Sequence, residues 1–213
     1  MFKPQVLNKN QIEIVQKLGF LRKSGFYLAG GTGLALQLGH RSSIDFDFYT
    51  SGRIDASDLV KQLEKIFPYL KIQLQAENSL GLKINQVNLS FFRYDYPLIN
   101  RLKNFQGVGI ASVGDIAAMK MAAIVQRGTK RDFIDIFYLL QKYSLEKLIK
   151  FTLKKYPFYQ EMIILRALIY FEDAEKEVKP RKIKIFDKNF SWEKAKKKIF
   201  EEVKKYQLAM IKK

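Results

Sequence analysis

Apolar and polar positions change period every few residues in the first half of the chain and keep a helical period in the second. Asn10 with Glu13 three residues later reads as a capping box opening a helix to about Lys23, which Gly25 stops. Phe26–Ala29 is a short apolar strand, Gly30–Gly31–Thr32 a turn, and Thr32 to Leu38 a short helix. Ile44 to Tyr49 alternates apolar and acidic residues, the period of a strand. Asp55 caps a helix to Phe67, which Pro68 ends. Leu70–Gln75, Leu80–Ile84 and Val87–Phe92 are three further strands, the last two joined by a tight Asn85–Gln86 turn, and Tyr96–Pro97 breaks the pattern. From Ser112 on, helices are expected to Arg127, from Thr129 to Tyr143, after Ser144, over Glu161–Glu177, and from Ser191 to about Met210. Ser112 with Asp115 is an acidic variant of the capping box, and Lys179–Pro180 breaks the penultimate helical stretch. The pattern predicts an α+β chain, with an α/β core over residues 1–110 and a helical part over 111–213.

Composition narrows the chemistry. Among 213 residues there is no cysteine and one histidine, His40, which excludes disulfide scaffolds, thiol catalysis and multi-histidine metal sites. The net charge of +17 calls for an anionic partner: nucleic acid, nucleotide or an anionic surface. Residues 176–213 hold fourteen of the basic side chains against five acids, a net of +9. Crowded lysines at 194, 196, 197, 198, 204 and 205 destabilise a helix unless an anion offsets them, so this end is expected to dock an acceptor's phosphates. The apolar stretches are interrupted by Lys120 and Arg166, no export signal opens the chain, and a cytoplasmic protein with no membrane partner is expected.

The most informative stretch is GGTGLALQLGHRSSIDFDFY, residues 30–49. A Gly-Gly-Thr turn leaving a strand and opening a helix offers amide donors and a positive helix end to phosphate, and Gly30 and Gly31 permit close backbone approach. Asp45 and Asp47 lie two apart on a strand and share a face, where a cation relieves their repulsion. Such oxygen ligands suit Mg²⁺ or Mn²⁺. Either feature alone reads as an ordinary turn or a solvated strand face; the combination is more specific.

This combination resembles the polymerase-β-like nucleotidyltransferases, and more narrowly the AbiEii/AbiGii toxin group of abortive-infection toxin–antitoxin pairs. The resemblance continues through SVGDIAAMKMAAIVQRGTKRDFIDIFYLL, residues 112–140. It implies a mixed sheet with flanking helices, and a helical half that completes the cleft. It further implies a Mg²⁺-dependent transfer of a nucleoside monophosphate from an NTP to an acceptor hydroxyl, with RNA such as tRNA as acceptor and an antitoxin protein as partner. Gly30, Gly31, Thr32, Arg41, Ser42 and Ser43 would contact nucleotide, Asp45 and Asp47 would hold metal, and His40 would shape the loop. A small-molecule nucleotidyltransferase and a non-catalytic RNA- or antitoxin-binding protein are the alternatives.

The second block has readings of its own. Lys120, among Ala117, Ala118, Met121 and Ile124, either snorkels to water or meets an anion, and the resemblance implies a triphosphate or substrate contact. Asp132 has cap spacing from Thr129 and either closes the helix start or belongs to the site. Arg131 can pair with Asp135 across one turn, and Arg127 and Arg131 can reach phosphate or ribose. Many enzymes of this fold carry a third carboxylate on a later strand. Val87–Phe92 has no acid, and Asp135 is the substitute expected from the sequence.

Overall fold

The computed structural model describes residues 1–178 and 182–211. Helix α1 (Lys9–Lys17) is capped two residues earlier than expected, by Asn8 and not Asn10. The Asn8 carboxamide accepts from the Gln11 amide, while the Gln11 side chain accepts from the Asn8 amide, both at 2.9 Å. It also ends early, because Gly19–Arg22 tighten into a 3-10 turn ahead of Gly25, whose φ is 79°. Next come β1 (Tyr27–Leu28), α2 (Gly30–Leu38), β2 (Phe46–Thr50) and α3 (Ala56–Glu64), the last capped as expected by Asp55, which accepts from the Asp58 amide. Gly39 closes α2 in the left-handed conformation.

Strands β3 (Lys71–Ala76), β4 (Ser79–Ile84) and β5 (Val87–Arg93) lie within a residue of the expected spans. Asn85 and Gln86 join the last two with φ of 45° and 67°, the double positive φ of a tight hairpin. The hairpin of β6 (Lys103–Phe105) and β7 (Val108–Ile110) was not anticipated. Three-residue strands are too short to show a period, and Gln106–Gly107 between Phe105 and Val108 was the one cue.

The sheet order is β3-β4-β5-β2-β1-β7-β6. It is mixed: β2 runs parallel to β5 and β1 parallel to β7, while β1–β2, β3–β4, β4–β5 and β6–β7 are antiparallel. One face carries the core, where Phe46, Phe48, Leu80, Leu82, Leu89 and Phe91 pack with α1 and α3 through Ile14, Val15, Leu59 and Leu63. Burial along β2 and β5 alternates with the pleat, so Asp47, Tyr49, Ser90 and Phe92 stand on the opposite face.

Chain contacts divide the molecule into one unit over Met1–Ser112 and another over Val113–Lys213. The second is built on α4 (Val113–Gln126), against which α5 (Lys130–Leu140), α6 (Leu145–Lys155) and α7 (Glu161–Leu168) pack. Ser144 caps α6 through the Lys147 amide, as expected. The expected helix over Glu161–Glu177 is two pieces, α7 and α8 (Glu172–Glu175), separated at Ile169–Phe171. The break expected at Lys179–Pro180 lies outside the described residues. Helix α9 (Trp192–Ile211) starts after Ser191, whose hydroxyl accepts from the Lys194 amide. Among the described residues no helix is long and apolar enough to cross a membrane.

Candidate active site

In the first unit the strand-to-helix passage is tighter than a turn followed by a helix. Helix α2 begins at Gly30 itself, whose φ is 58°. A Cβ there would lie 2.5 Å from Asp47 Oδ2, and a Cβ on Gly31 would lie 2.6 Å from Arg41 Nη2. A side chain at either position would force its neighbour to shift: one backbone faces a carboxylate, the next a guanidinium. Arg41 is buried, and its Nη1 donates to the Ser42 carbonyl at 3.0 Å. His40 is buried beside it.

The loop between α2 and β2 is pinned by Thr32. Its hydroxyl shares a hydrogen bond with Ser43 Oγ at 2.7 Å and donates to the Asp45 carbonyl. The Thr32 and Ser43 side chains hold the loop at the start of α2. The first-turn amides of α2 are the donors this end of the helix offers an anion. Gly30→Ala is expected to cost about 1–2 kcal/mol for the left-handed backbone alone and to displace the Asp47 carboxylate. Chemical denaturation and Mg²⁺ titration check this; unchanged affinity would show that Asp47 does not need the gap.

Asp45 lies one residue before β2, not within it. Parallel pairing sets Asp47 against Ser90, and Asn88 Nδ2 donates to Asp45 Oδ1 at 2.9 Å. Where a third carboxylate was sought on β5, an amide stands instead. Among the described residues no group of three or more acids or histidines converges as a metal site. The donor set still fits a hard divalent cation: two half-buried carboxylates stand two residues apart at the start of β2. Asn88→Asp puts a third carboxylate against Asp45. It should lower the melting temperature without metal and raise Mg²⁺ affinity, as seen by thermal melts with and without the ion. A variant that melts like the parent in both would contradict this.

The second unit holds a separate charge cluster. Lys120 Nζ, on a side chain only 10% exposed, lies 2.8 Å from Asp132 Oδ1 and 2.7 Å from Asp135 Oδ2. The lysine does not snorkel: it meets anions, and these are the protein's own. Asp132 also accepts from the Thr129 hydroxyl at 2.7 Å and from Arg127 Nε at 3.4 Å. Asp132 is thus a charge partner of Lys120 at the start of α5, where its backbone N–H donates to the Thr129 carbonyl at 2.9 Å and its carboxylate accepts from the Thr129 hydroxyl. Asp135, the expected substitute carboxylate, is fully buried with Oδ2 2.7 Å from Lys120 Nζ. Arg131 Nε is buried without a hydrogen-bond partner among the described residues.

Burial alone would raise the Asp132 pKa, but the Lys120 charge, hydrogen bonds from Lys120 and Thr129, and the Arg127 charge outweigh it. Its carboxyl therefore titrates below the ordinary value of 3.8. A carboxyl depressed in the folded state contributes stability present above its unfolded pKa and lost as pH falls through the folded one. Stability should therefore decline on acidification below about pH 4, and Asp132→Asn should flatten that decline. Identical acid limbs in melts of the two proteins would contradict it.

Two features escaped sequence reasoning. Asp115, expected in a cap, is wholly buried 3.1 Å from Lys155 Nζ of α6, itself wholly buried. And the crowded lysines of α9 have internal counter-charges: Lys196 pairs with Glu175 and Glu193 at 2.6 and 3.0 Å, and Lys198 with Glu202 at 2.7 Å. The anion thought necessary is partly glutamate. Trp192 packs on Phe133 and Phe171, and Phe190 on Phe137 and Tyr138, so these rings fasten the start of α9.

Comparison with known proteins bears on both units. A crystal structure from Helicobacter pylori superposes with a TM-score of 0.65 at 16% identity, over 97% of this chain and 98% of the other. The Mycobacterium tuberculosis nucleotidyltransferase toxin MenT4 superposes with a TM-score of 0.54 at 15% identity, over 91% and 82%. The fold is that of the polymerase-β-like nucleotidyltransferases, a mixed sheet with flanking helices. An uncharacterized protein of Aquifex aeolicus (strain VF5) is 40% identical over 182 residues, covering 81% of this chain and 86% of its own. Residues 84–208, from the end of β4 through most of α9, match the family described as nucleotidyl transferase AbiEii toxin, type IV TA system, and the chain belongs to that family.

Proposed function

We propose that the protein transfers a nucleoside monophosphate from an NTP to a hydroxyl of RNA, as the toxin of a toxin–antitoxin pair. The observation that carries this is the junction of Gly30, Gly31, Arg41, Asp45 and Asp47. A carboxylate and a buried guanidinium press on adjacent glycines at the start of a helix. The α2 amides and Arg41 bind the phosphate tail. Asp45 and Asp47 would hold Mg²⁺ or Mn²⁺, which when bound supplies charge neutralisation at the reacting phosphate. The acceptor hydroxyl attacks the α-phosphorus in line, a P–O bond to the acceptor forms, the bond to pyrophosphate breaks, and the hydroxyl proton is released. Asn88 holds Asp45 in place from the neighbouring strand.

In the second unit Lys120, Asp132 and Asp135 act as a braced cluster. Lys120 orients both carboxylates, and Arg127, its side chain 64% exposed, is the member that reaches solvent and an anionic ligand. An antitoxin partner is supported by membership of a family described as a type IV TA system. RNA as acceptor is supported by the net charge of +17.

The test is incubation with each labelled NTP, total RNA and Mg²⁺, followed by mapping of the label. Label at RNA ends, abolished by chelation, supports the reading. Label only in small molecules would move the acceptor to that class, and no transfer at all would favour a non-catalytic binding protein.

A further inference from the structure

The sheet face that carries Asp47 continues into a row of aromatic rings. Register sets Asp47 against Ser90 and, two residues on, Tyr49 against Phe92. Tyr49 in turn faces Tyr27 across β1. The rings adjoin one another: Tyr27 to Tyr49 at 6.1 Å, Tyr49 to Phe92 at 5.6 Å, Tyr49 to Tyr94 at 5.2 Å and Tyr94 to Tyr96 at 5.0 Å. None belongs to the hydrophobic core cluster on the other face. Tyr49, Phe92 and Tyr94 are half-buried, and Tyr96 is 37% exposed. Two residues along a strand span about 7 Å. A base attached to a hydroxyl held at the acids is within reach of these rings.

We propose that Tyr49, Phe92, Tyr94 and Tyr96 form a stacking platform for the unpaired bases of a single-stranded acceptor, an assignment that rests on the RNA-acceptor reading above. Three features fit that occupant. The row is longer than one base needs. Three of its four rings are tyrosines, apolar in body and polar at the tip, suited to a wet interface. The chain's charge of +17 draws a polyanion to it. Aromatic stacking is indifferent to sequence because every base has a π face. The platform thus selects unpaired ends over duplex ends and does not select sequence.

The experiment uses the full chain and a short oligoribonucleotide carrying 2-aminopurine near its 3′ end, single-stranded or annealed into a blunt duplex. Wild-type protein should quench the single strand and not the duplex. Tyr96→Ala should weaken single-strand binding by about 5- to 100-fold, Tyr96→Phe should restore it, and NTP binding should be unchanged in both. Tyr94→Ala provides a second site. Equal quenching of duplex and single strand, or alanine variants that bind like wild type, would overturn the platform. If wild type still transfers nucleotide to RNA in that case, the acceptor reading survives it. Wild type that binds NTP and no RNA would overturn both.

Discussion

Lys120→Met is expected to destabilise the protein by about 3–5 kcal/mol, the range for removing one partner of a buried ion pair. Methionine matches the lysine stem in volume, so packing changes little. Charge changes greatly: Asp132 and Asp135, 1% and 0% exposed in their side chains, lose the ammonium between them. Arg127 remains on Asp132 at 3.4 Å and compensates only there. Adding Asp132→Asn and Asp135→Asn to Lys120→Met removes the stranded charges and should recover most of the loss. Trp192 is the one tryptophan, packed against Phe133 of α5, so its fluorescence during urea unfolding reports on this region. A Lys120→Met midpoint equal to wild type would show that the cluster does not depend on its lysine.

Asp45→Asn and Asp47→Asn, singly or together, are expected to abolish transfer while leaving the fold intact. Several kcal/mol of transition-state stabilisation by a bound cation corresponds to about a thousandfold or more in rate. In Asp45→Asn the new side chain's carbonyl oxygen can still accept from Asn88, so the β2–β5 contact survives. Removing the mutual repulsion of the two carboxylates should hold or raise the melting temperature of the metal-free protein. Loss of activity accompanied by unfolding would assign the acids a structural role instead.

The parts of this site that were legible in the sequence are those with a local period. Asp45 and Asp47 alternate with Phe46 and Phe48, and the glycines open an apolar helix, so their shared face and their place at the strand-to-helix passage follow from spacing within a few residues. What was illegible depends on partners far along the chain. Lys120 meets acids twelve and fifteen residues away on the next helix, outside any i, i+4 rule, so water and anion could not be told apart. Lys155 and Asp115 are forty residues apart. Asn88 carries no charge and sits on a strand that reads as ordinary alternation; only the parallel pairing of β2 with β5 brings it to Asp45. The α1 cap slipped by two residues because Asn8 and Asn10 both have an acceptor side chain, and only the geometry at Gln11 chooses between them.

Asp45 and Asp47 are the proposed seat of nucleotidyl transfer. That role is tested most directly by incubating protein, RNA and Mg²⁺ with NTP labelled at either the α- or the γ-phosphate, for wild type and the Asp45→Asn/Asp47→Asn double variant. Label from the α position should enter RNA with the wild type, none should enter from the γ position, and the double variant should transfer neither. Incorporation of γ-label, or α-label transferred equally by the double variant, would contradict that role.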